Sequence, residues 1–128
     1  MVEIRVHGRG GQGSVVLAEL LAVAAWQEGK WGQAFPYLGG GGERRGAPVQ
    51  AFARMGDRPI RLRCRVQAPD YVLVQDPALV ELVDVAQGLK PGGLLLINDD
   101  EVPASLLAEA GSFRVRAVPA TRVALAET

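Results

Sequence analysis

A run of glycines near the start of the chain has the spacing of a phosphate-binding turn. Residues 8–13 read Gly-Arg-Gly-Gly-Gln-Gly, which fits G-x-G-x-x-G, and they lie between a predicted strand and a predicted helix. Because glycine lacks a Cβ atom, the backbone N–H groups can approach a pyrophosphate, while the helix dipole faces the negative charge. The alternative is a tight turn that needs glycines only for positive φ angles and close packing. The pattern and its position favour an anion site.

One part of the dinucleotide fingerprint is missing. A ribose-binding carboxylate is expected about 20 residues after the turn, at the end of the second strand. The predicted second strand, 31–35, contains no carboxylate, and Arg44 and Arg45 follow it in a loop. Guanidinium groups suit phosphates, so these residues favour a phosphate-rich ligand such as NADP or coenzyme A. The alternative is that both arginines are solvated or paired with Glu43.

Three arginines alternate with apolar residues in a predicted strand over 60–66. Arg61, Arg63 and Arg65 would lie about 7 Å apart on one face of that strand. Such a row could dock an acidic subunit, but it is more commonly the solvated face of an outer strand, where charge discourages aggregation. With three Phe, two Trp and two Tyr, the chain has few aromatic residues for reading nucleic-acid bases.

The chain has one histidine and one cysteine. His7 ends the first predicted strand, where it could contact a ligand or, more simply, hold the turn by a hydrogen bond. Cys64 lies on the apolar face of its predicted strand, so we expect a small buried hydrophobe. These residues are too few to form a zinc site or an iron-sulfur cluster, and no Ser-His-Asp set can be assembled around them. We therefore expect a binding site without catalytic residues, and any redox metal on a partner.

Strands and helices alternate along most of the sequence. Predicted strands cover 2–7, 31–35, 71–75, 94–98 and 113–118, and predicted helices cover 14–28, 76–87, 103–110 and a last one from 119. This alternation predicts parallel β-α-β units, and the turn Gly-Asp-Arg-Pro at 56–59 predicts a hairpin between 48–55 and 60–66. The expected fold is a Rossmann-like three-layer α/β sandwich, with a mostly parallel sheet and a central β-hairpin. Ligands bind such sheets beyond the carboxyl ends of the strands, where the glycine turn would lie.

The composition is that of a single globular domain. The chain has 128 residues, of which 48% are hydrophobic and 22% are charged, so we expect one domain over 1–128. Its 14 basic and 14 acidic residues cancel, which leaves no overall field to attract nucleic acid or an anionic membrane. The longest apolar stretch, 15–26, is shorter than the roughly 20 residues that span a bilayer, and no secretory signal is visible. We expect a cytoplasmic protein.

Four segments, in chain order, resemble the gamma subunit of pyruvate:ferredoxin oxidoreductase and of related 2-oxoacid:ferredoxin oxidoreductases. They are Glu-Ile-Arg-Val-His-Gly-Arg-Gly-Gly-Gln-Gly at 3–13, Gln-Ala-Phe-Pro at 33–36, Glu-Arg-Arg-Gly-Ala-Pro-Val at 43–49 and Asp-Tyr-Val-Leu-Val-Gln-Asp-Pro at 70–77. The resemblance extends over essentially the whole chain. Several spaced motifs in register are far more specific than the glycine turn alone.

The resemblance implies a noncatalytic subunit of a cytoplasmic complex that decarboxylates a 2-oxoacid oxidatively. Such a complex attaches the acyl group to coenzyme A and passes electrons through iron-sulfur clusters to ferredoxin. Thiamine diphosphate and the clusters would belong to partner subunits of the alpha, beta and delta types. In the family the gamma chain is Rossmann-like, and the corresponding domain of single-chain relatives is associated with coenzyme A binding. Carried over to this chain, the implied phosphate site is Gly8, Arg9, Gly10, Gly11, Gln12, Gly13 and Ser14, with Arg44 and Arg45 as a clamp.

The chain departs from the family pattern in two places. The run Gly39–Gly42 is richer in glycine than the usual loop. Family members also usually continue beyond Thr128, so we expect either a cut or a shortened chain. Two other functions stay open from the residues: a free-standing NADP-dependent oxidoreductase domain, from the glycine turn and the arginines after it, and a purely structural assembly subunit, from the arginine row.

Overall fold

The computed structural model describes residues 1–37 and 47–127. These residues form strands β1 (Val2–Arg9), β2 (Trp31–Pro36), β3 (Pro48–Gly56), β4 (Tyr71–Val74), β5 (Leu94–Ile97) and β6 (Arg114–Ala117). They also form helices α1 (Ser14–Gln27), α2 (Ala104–Glu109) and α3 (Ala120–Glu127), and a 3₁₀ helix over Pro77–Glu81. The predicted α/β class is confirmed. No helix in these two ranges is long and apolar enough to cross a membrane.

The strands form a single sheet in the order β2-β3-β1-β4-β5-β6. The neighbours β1, β4, β5 and β6 are parallel, whereas β3 is antiparallel to both β1 and β2. All the strands except β3 therefore run in one direction, and the prediction of a mostly parallel sheet is confirmed. The carboxyl ends of the four parallel neighbours meet at one edge, which is where the glycine turn begins.

The prediction of a hairpin between 48–55 and 60–66 is wrong for the second strand. Residues 60–66 form no strand, and the antiparallel partner of β3 on its outer side is β2, with Phe35 opposite Phe52. Because β1 and β2 occupy both edges of β3, no edge is left for a third strand. The predicted row of arginines therefore shares no strand face. Segment 60–66 instead supplies carbonyl oxygens that accept hydrogen bonds from sheet side chains, such as Cys64 O from Arg54 Nη2 at 2.6 Å.

Helix α1 packs closely against one face of β1, β2 and β3. Its buried side chains are small, namely Ala18, Ala22 and Ala25 after the first turn. A Cβ atom at Gly32 in β2 would lie 2.9 Å from the Cα of Ala22, so only glycine allows this approach. The helix ends close to its predicted boundary, and Gly29 follows with a φ of 80°. This packing fixes the first turn of α1 beside the end of β1.

The other face of the sheet carries the larger apolar cluster. Val72, Leu79, Leu95, Ile97 and Leu106 belong to it, together with further residues of β4, the 3₁₀ helix and β6. In the pairing of β1 with β4, Arg5 lies opposite Val72 and therefore shares this face with the cluster. The α1 layer, the sheet and this second covering layer make up the predicted sandwich.

The helix predicted for 76–87 is much shorter in the structure. Asp76 does cap its start, because its Oδ1 accepts a hydrogen bond from Ala78 N at 3.0 Å. The regular part ends at Glu81 and is a 3₁₀ helix. Three β-branched valines in the predicted helix lower its intrinsic helix propensity. The carbonyl groups of Val85 and Gln87 accept hydrogen bonds from Arg5 of β1 instead of continuing a helix.

Candidate functional site

The glycine turn connects β1 to α1 at the carboxyl edge of the parallel strands. Gly11 and Gly13 have φ angles of 91° and 79°, a left-handed conformation that other residues rarely adopt. A Cβ atom at Gly8 would collide with Ser14 Oγ and Gln75 Oε1. The left-handed conformation therefore favours glycine at Gly11 and Gly13, and a side chain at Gly8 would displace the side chains of Ser14 and Gln75. The structural alternative raised from the sequence accounts for them without a ligand.

Some of the N–H groups of the turn are occupied within the chain. Arg9 N donates to Gln12 Oε1 at 2.8 Å, Gly10 N donates to Ala47 O at 2.8 Å, and Gln12 N donates to Arg9 O at 3.0 Å. The side chain of Gln12 thus folds back over the start of the turn. Because these three amide groups already donate hydrogen bonds within the chain, they are not available to bind an anion.

The first turn of α1 is different, because its amide groups are open. Its N-cap residue is Gly13, which has no side chain to cap the helix, and the first helical bond runs from Leu17 N to Gly13 O. Among the described residues, the N–H groups of Ser14, Val15 and Val16 have no hydrogen-bond partner. Three open donors at the positive end of a 14-residue helix form a favourable place for a phosphate.

The side chains of Ser14 and Arg9 both bond to the start of the loop after β4. Ser14 is buried, and its Oγ donates to Gln75 Oε1. Arg9 Nε forms an ion pair of 2.6 Å with Asp76 Oδ2. The N–H of Ala78 and the guanidinium of Arg9 hold the pKa of the Asp76 carboxyl below its usual value. Asp76, seen in the sequence only as a helix cap, is therefore also the counter-ion of a predicted site residue.

A cavity of about 470 Å³ lies beside the turn, between α1, the ends of β4 and β5, and α3. Leu17, Leu73 and Leu96 give it apolar walls, and Gln12, Gln75 and Asn98 are among its polar lining. Sequence reasoning assigned no role to Gln75 or Asn98. Each of them directly follows the last residue of a parallel strand, which is the available signal for a position at a ligand-binding edge.

Asn98 holds three elements of this cavity together. Its Nδ2 donates to Gln75 O at 3.0 Å and to Thr121 Oγ1 at 2.8 Å, while its Oδ1 accepts from Thr121 N at 3.1 Å. The ends of β4 and β5 and the start of α3 are thereby joined by one side chain. The cavity has a fixed polar edge as a result.

Arg44, Arg45 and the run Gly39–Gly42 lie outside the described residues. Ala47, the first described residue after this loop, accepts the hydrogen bond from Gly10 N. Ala47 itself therefore lies next to the glycine turn. The clamp formed by the two arginines stays a prediction.

His7 and Cys64 differ from their expected surroundings. His7 is buried and hydrogen-bonded, but its partner is Arg5, whose Nε donates to His7 Nε2 at 2.8 Å, rather than the turn. Burial, with a smaller contribution from the Arg5 charge, lowers the pKa of His7 from 6.5 to about 3. Cys64 is exposed, so the prediction of a buried hydrophobe is wrong. The reason is that segment 60–66 does not join the sheet.

Comparisons with known proteins agree on one family. A family model described as pyruvate ferredoxin/flavodoxin oxidoreductase matches residues 3–127. The pyruvate synthase subunit PorC of Methanosarcina barkeri is 57% identical over 125 residues, which cover 98% of this chain and 67% of that protein. The common subunit gamma of the pyruvate/ketoisovalerate oxidoreductases of Thermococcus litoralis is 48% identical over 127 residues, or 98% of this chain and 68% of that protein.

Solved structures have the same fold. The crystal structure of the pyruvate oxidoreductase subunit PORC of Thermotoga maritima has a TM-score of 0.79 and 38% identity, over 98% of this chain and 66% of that one. The 2-oxoglutarate:ferredoxin oxidoreductase of Magnetococcus marinus, solved with 2-oxoglutarate, coenzyme A and succinyl-CoA bound, has a TM-score of 0.71 and 20% identity, over 96% of this chain and 20% of that one. The chain thus spans about two thirds of the length of its separate-subunit relatives.

Proposed function

Because the chain belongs to the pyruvate ferredoxin/flavodoxin oxidoreductase family, we propose that it acts as the gamma subunit of a 2-oxoacid:ferredoxin oxidoreductase and binds the diphosphate of coenzyme A at the first turn of α1. The single observation that carries the ligand assignment is the set of open N–H groups at residues 14–16, which lie at the positive end of α1. Phosphate oxygens accept hydrogen bonds from such groups at helix N-termini.

The reaction of the complex takes place on other chains in this proposal. Subunits of the alpha, beta and delta types hold the thiamine diphosphate and the iron-sulfur clusters, decarboxylate the 2-oxoacid and pass its electrons to ferredoxin. The gamma chain contributes a site that binds coenzyme A in the complex. The proposal matches the notable absence of a ribose-binding carboxylate after the turn.

The cavity beside α1 provides room for one of the two organic arms that leave the diphosphate of coenzyme A. Its volume of about 470 Å³ and its leucine walls suit a mostly apolar group with a few polar atoms. The polar edge formed by Asn98 and Gln75 would orient that arm. Coenzyme A enters this proposal also because a more distant enzyme of the same fold was solved with coenzyme A bound.

Arg44 and Arg45 complete the proposed site as a clamp on the phosphates. Arg45 precedes Ala47 by two residues, and an extended chain covers at most about 7 Å in two residues. Ala47 O accepts a hydrogen bond from Gly10 N, so a residue close in sequence to both arginines is anchored at the turn, which supports their assignment as a clamp.

The strand order argues against the alternative of a free-standing NADP-dependent enzyme. In the dinucleotide-binding fold the second strand lies next to the first, and its end approaches the ribose. Here β3 separates β2 from β1, so the carboxyl end of β2 is one strand further away. The second strand, β2, also has no carboxylate that could bind a ribose hydroxyl.

Calorimetric titration of the chain and of the purified complex with coenzyme A tests the proposal. Replacing both Arg44 and Arg45 by Ala should weaken binding by at least about 10- to 100-fold, since the loss of even one charge-assisted phosphate contact costs roughly 1.5 to 3 kcal/mol. Arg58→Ala plus Arg61→Ala is the matched control, which removes the same charge elsewhere and should leave binding unchanged. Pantetheine, which lacks the diphosphate, should not bind.

The subunit assignment has its own readout. Affinity purification from the native source should recover the chain together with subunits that carry iron-sulfur clusters and thiamine diphosphate. If the complex assembles but coenzyme A binds neither the chain nor the complex through these residues, the purely structural alternative replaces the ligand assignment.

A further inference from the structure

A second cavity lies on the face of the sheet opposite α1. Its volume is about 400 Å³, and it is bounded by β1, β3 and the segments 65–67 and 84–88. Arg5 and His7 of β1 line it from the sheet, while Gln50, Gln67 and Gln87 are among its other lining residues. The proposed coenzyme A site uses none of these side chains. The cavity therefore needs an explanation of its own.

Arg5 is an unusual residue in the middle of a sheet. It is 6% exposed, and none of the ion pairs in the described part of the chain includes it. Its Nε donates to His7, and its Nη2 donates to Val85 O at 3.0 Å and to Gln87 O at 2.6 Å. These contacts fix the plane of the guanidinium group but do not neutralise its charge. A buried cation without a carboxylate partner is a costly arrangement.

One nitrogen of the Arg5 guanidinium group has no hydrogen-bond partner among the described residues. In the described ranges 1–37 and 47–127, Nη1 has no hydrogen-bond partner, and no fully buried side-chain nitrogen or oxygen lacks one. Nη1 is therefore not fully buried, and Arg5 lines the cavity, which we infer to be the space that Nη1 adjoins. A guanidinium group held by three hydrogen bonds offers this nitrogen as a preorganised donor.

His7 offers a second donor beside it. Its low pKa keeps the imidazole neutral at ordinary pH, and its Nε2 accepts the hydrogen bond from Arg5. The proton of the neutral ring must then be on Nδ1. By the same argument as for Arg5, Nδ1 has no partner in the described part of the chain and is not fully buried. Two N–H donors thus line one cavity, and one of them carries a positive charge.

The charges around the cavity favour a singly charged anion. Arg65 lines the cavity, and its guanidinium lies over the ring of Tyr37, 4.6 Å from the ring centroid. Asp84 lines the cavity as well and opposes the two arginines, with a coulombic effect on Arg5. One net positive charge attracts a carboxylate, whereas a dianionic phosphate would meet repulsion from Asp84.

We propose that this cavity binds a small polar organic acid, whose carboxylate accepts hydrogen bonds from Arg5 Nη1 and His7 Nδ1. The side-chain amides of Gln50, Gln67 and Gln87 face the polar remainder of the molecule. A carboxylate here supplies the direct ion pair that Arg5 lacks in the described part of the chain. The site is separate from the first turn of α1, because the alternating side chains of β1 direct Arg5 and His7 to the other face of the sheet.

The single histidine of the chain provides a direct measurement. The ¹⁵N and ¹H resonances of the imidazole can be assigned to His7 without further work. Acetate, pyruvate, lactate and glutamate, each with a net charge of −1, are titrated at constant ionic strength up to about 20 mM, with chloride and inorganic phosphate as control anions. We expect a saturable shift of the Nδ1 resonance with at least one of the four acids. No shift with any of them, or the same shift with chloride, overturns the proposal.

Two exposed residues test the charge argument without disturbing the fold. Arg65→Ala should weaken the binding of the best acid by about fivefold, and Asp84→Asn should tighten it by about fivefold, because opposite charges are removed. Arg58→Ala and Asp57→Asn, in the turn after β3, are the matched controls and should change nothing. A site that only stabilises the fold would not respond in opposite directions.

The remaining outcomes separate this cavity from the site at α1. Coenzyme A, added at saturation, should leave the acid-induced shift of His7 unchanged. Displacement of the acid by coenzyme A would assign the cavity to the coenzyme and overturn a separate site. Tighter binding of phosphate than of every acid would overturn the ligand class. Loss of coenzyme A binding at α1, in contrast, would leave the His7 measurement intact.

Discussion

The two cavities lie on opposite faces of one sheet and are built from different parts of the peptide. At the first turn of α1 the donors are backbone N–H groups that a glycine cap leaves open. In the cavity of Arg5 and His7 the donors are buried side chains: hydrogen bonds to distant carbonyl groups hold Arg5 in place, and Arg5 in turn bonds to His7. The first arrangement depends on local backbone geometry, whereas the second depends on the packing of segments far apart in the chain. Changes in packing should therefore affect the second cavity more than the first.

The largest effect is expected at Gly88, which lines the second cavity. Its φ is 75°, and a Cβ atom there would overlap Gln67 O, a backbone atom that cannot move aside easily. Gly88→Ala should lower the free energy of unfolding by about 3 kcal/mol or more. Gly29→Ala is the control, because φ is 80° but nothing surrounds the added Cβ, so about 1 kcal/mol is expected. Equal losses in urea unfolding would show that Gly88 is under no packing constraint.

The same contrast explains which features the sequence could predict. Gly11 and Gly13 were found because a turn between a strand and a helix is a local pattern, and the parallel strands were found from their apolar runs. Residues 60–66 alternate like a strand, yet alternation carries no information about whether a sheet edge is available. The bonds from Arg5 to Val85 and Gln87 join residues 80 and 82 positions apart, a separation that no local pattern encodes.

The candidate site follows the same division. The position of the glycine turn at the carboxyl edge was predictable from the order of the elements. The internal hydrogen bonds that occupy the N–H groups of Arg9, Gly10 and Gln12 were not, since they depend on a side-chain conformation and on the return of the chain at Ala47. Asn98 was accessible in principle, because polar residues that follow a buried parallel strand commonly face a ligand.

The second prediction concerns acid stability. The unfolded chain has an ordinary histidine pKa near 6.5, whereas folding lowers the pKa of His7 to about 3. Between these values the unfolded state binds more protons, so stability is fully present above about pH 6.5 and decreases as the pH falls. The free energy of unfolding, measured in urea, should fall by about 2 kcal/mol between pH 6.5 and pH 5, because the slope approaches roughly 1.4 kcal/mol per pH unit.

His7→Gln is the control for this pH dependence. Its side-chain oxygen can still accept the hydrogen bond from Arg5, but it has no proton to gain. The slope between pH 6.5 and pH 5 should therefore be absent in this variant, whatever its absolute stability. The Asp76 carboxyl, whose pKa lies below its usual value, contributes stability that is lost only at lower pH. An unchanged slope in the variant would assign the acid sensitivity to other groups.

The third prediction places a negative charge beside the open amides of α1. In Gln12→Glu the carboxylate can still accept the hydrogen bond from Arg9 N, so the turn should keep its conformation. Its charge opposes the proposed diphosphate, and coenzyme A should bind about 10-fold more weakly, a loss of roughly 1.4 kcal/mol. Gln27→Glu makes the same change at the other end of α1, about 20 Å away, and should have no effect on the affinity. Equal affinities in the two variants would contradict a phosphate at the turn.

The smallest effect is expected from the ion pair between Arg9 and Asp76. Both side chains are partly exposed, so the pair itself contributes little to stability, and Asp76→Asn should cost about 0.5 kcal/mol because Asn still caps the 3₁₀ helix. The positive charge of Arg9 then loses the contribution of the Asp76 carboxylate that partly offsets it beside the glycine turn. Coenzyme A should bind about threefold more tightly in calorimetry, since the local potential becomes more positive. The binding of an organic acid to the cavity of Arg5 and His7 should stay the same, because Asp76 does not line it. Tighter binding of both ligands in Asp76→Asn would mean that the sheet does not separate the two sites electrostatically.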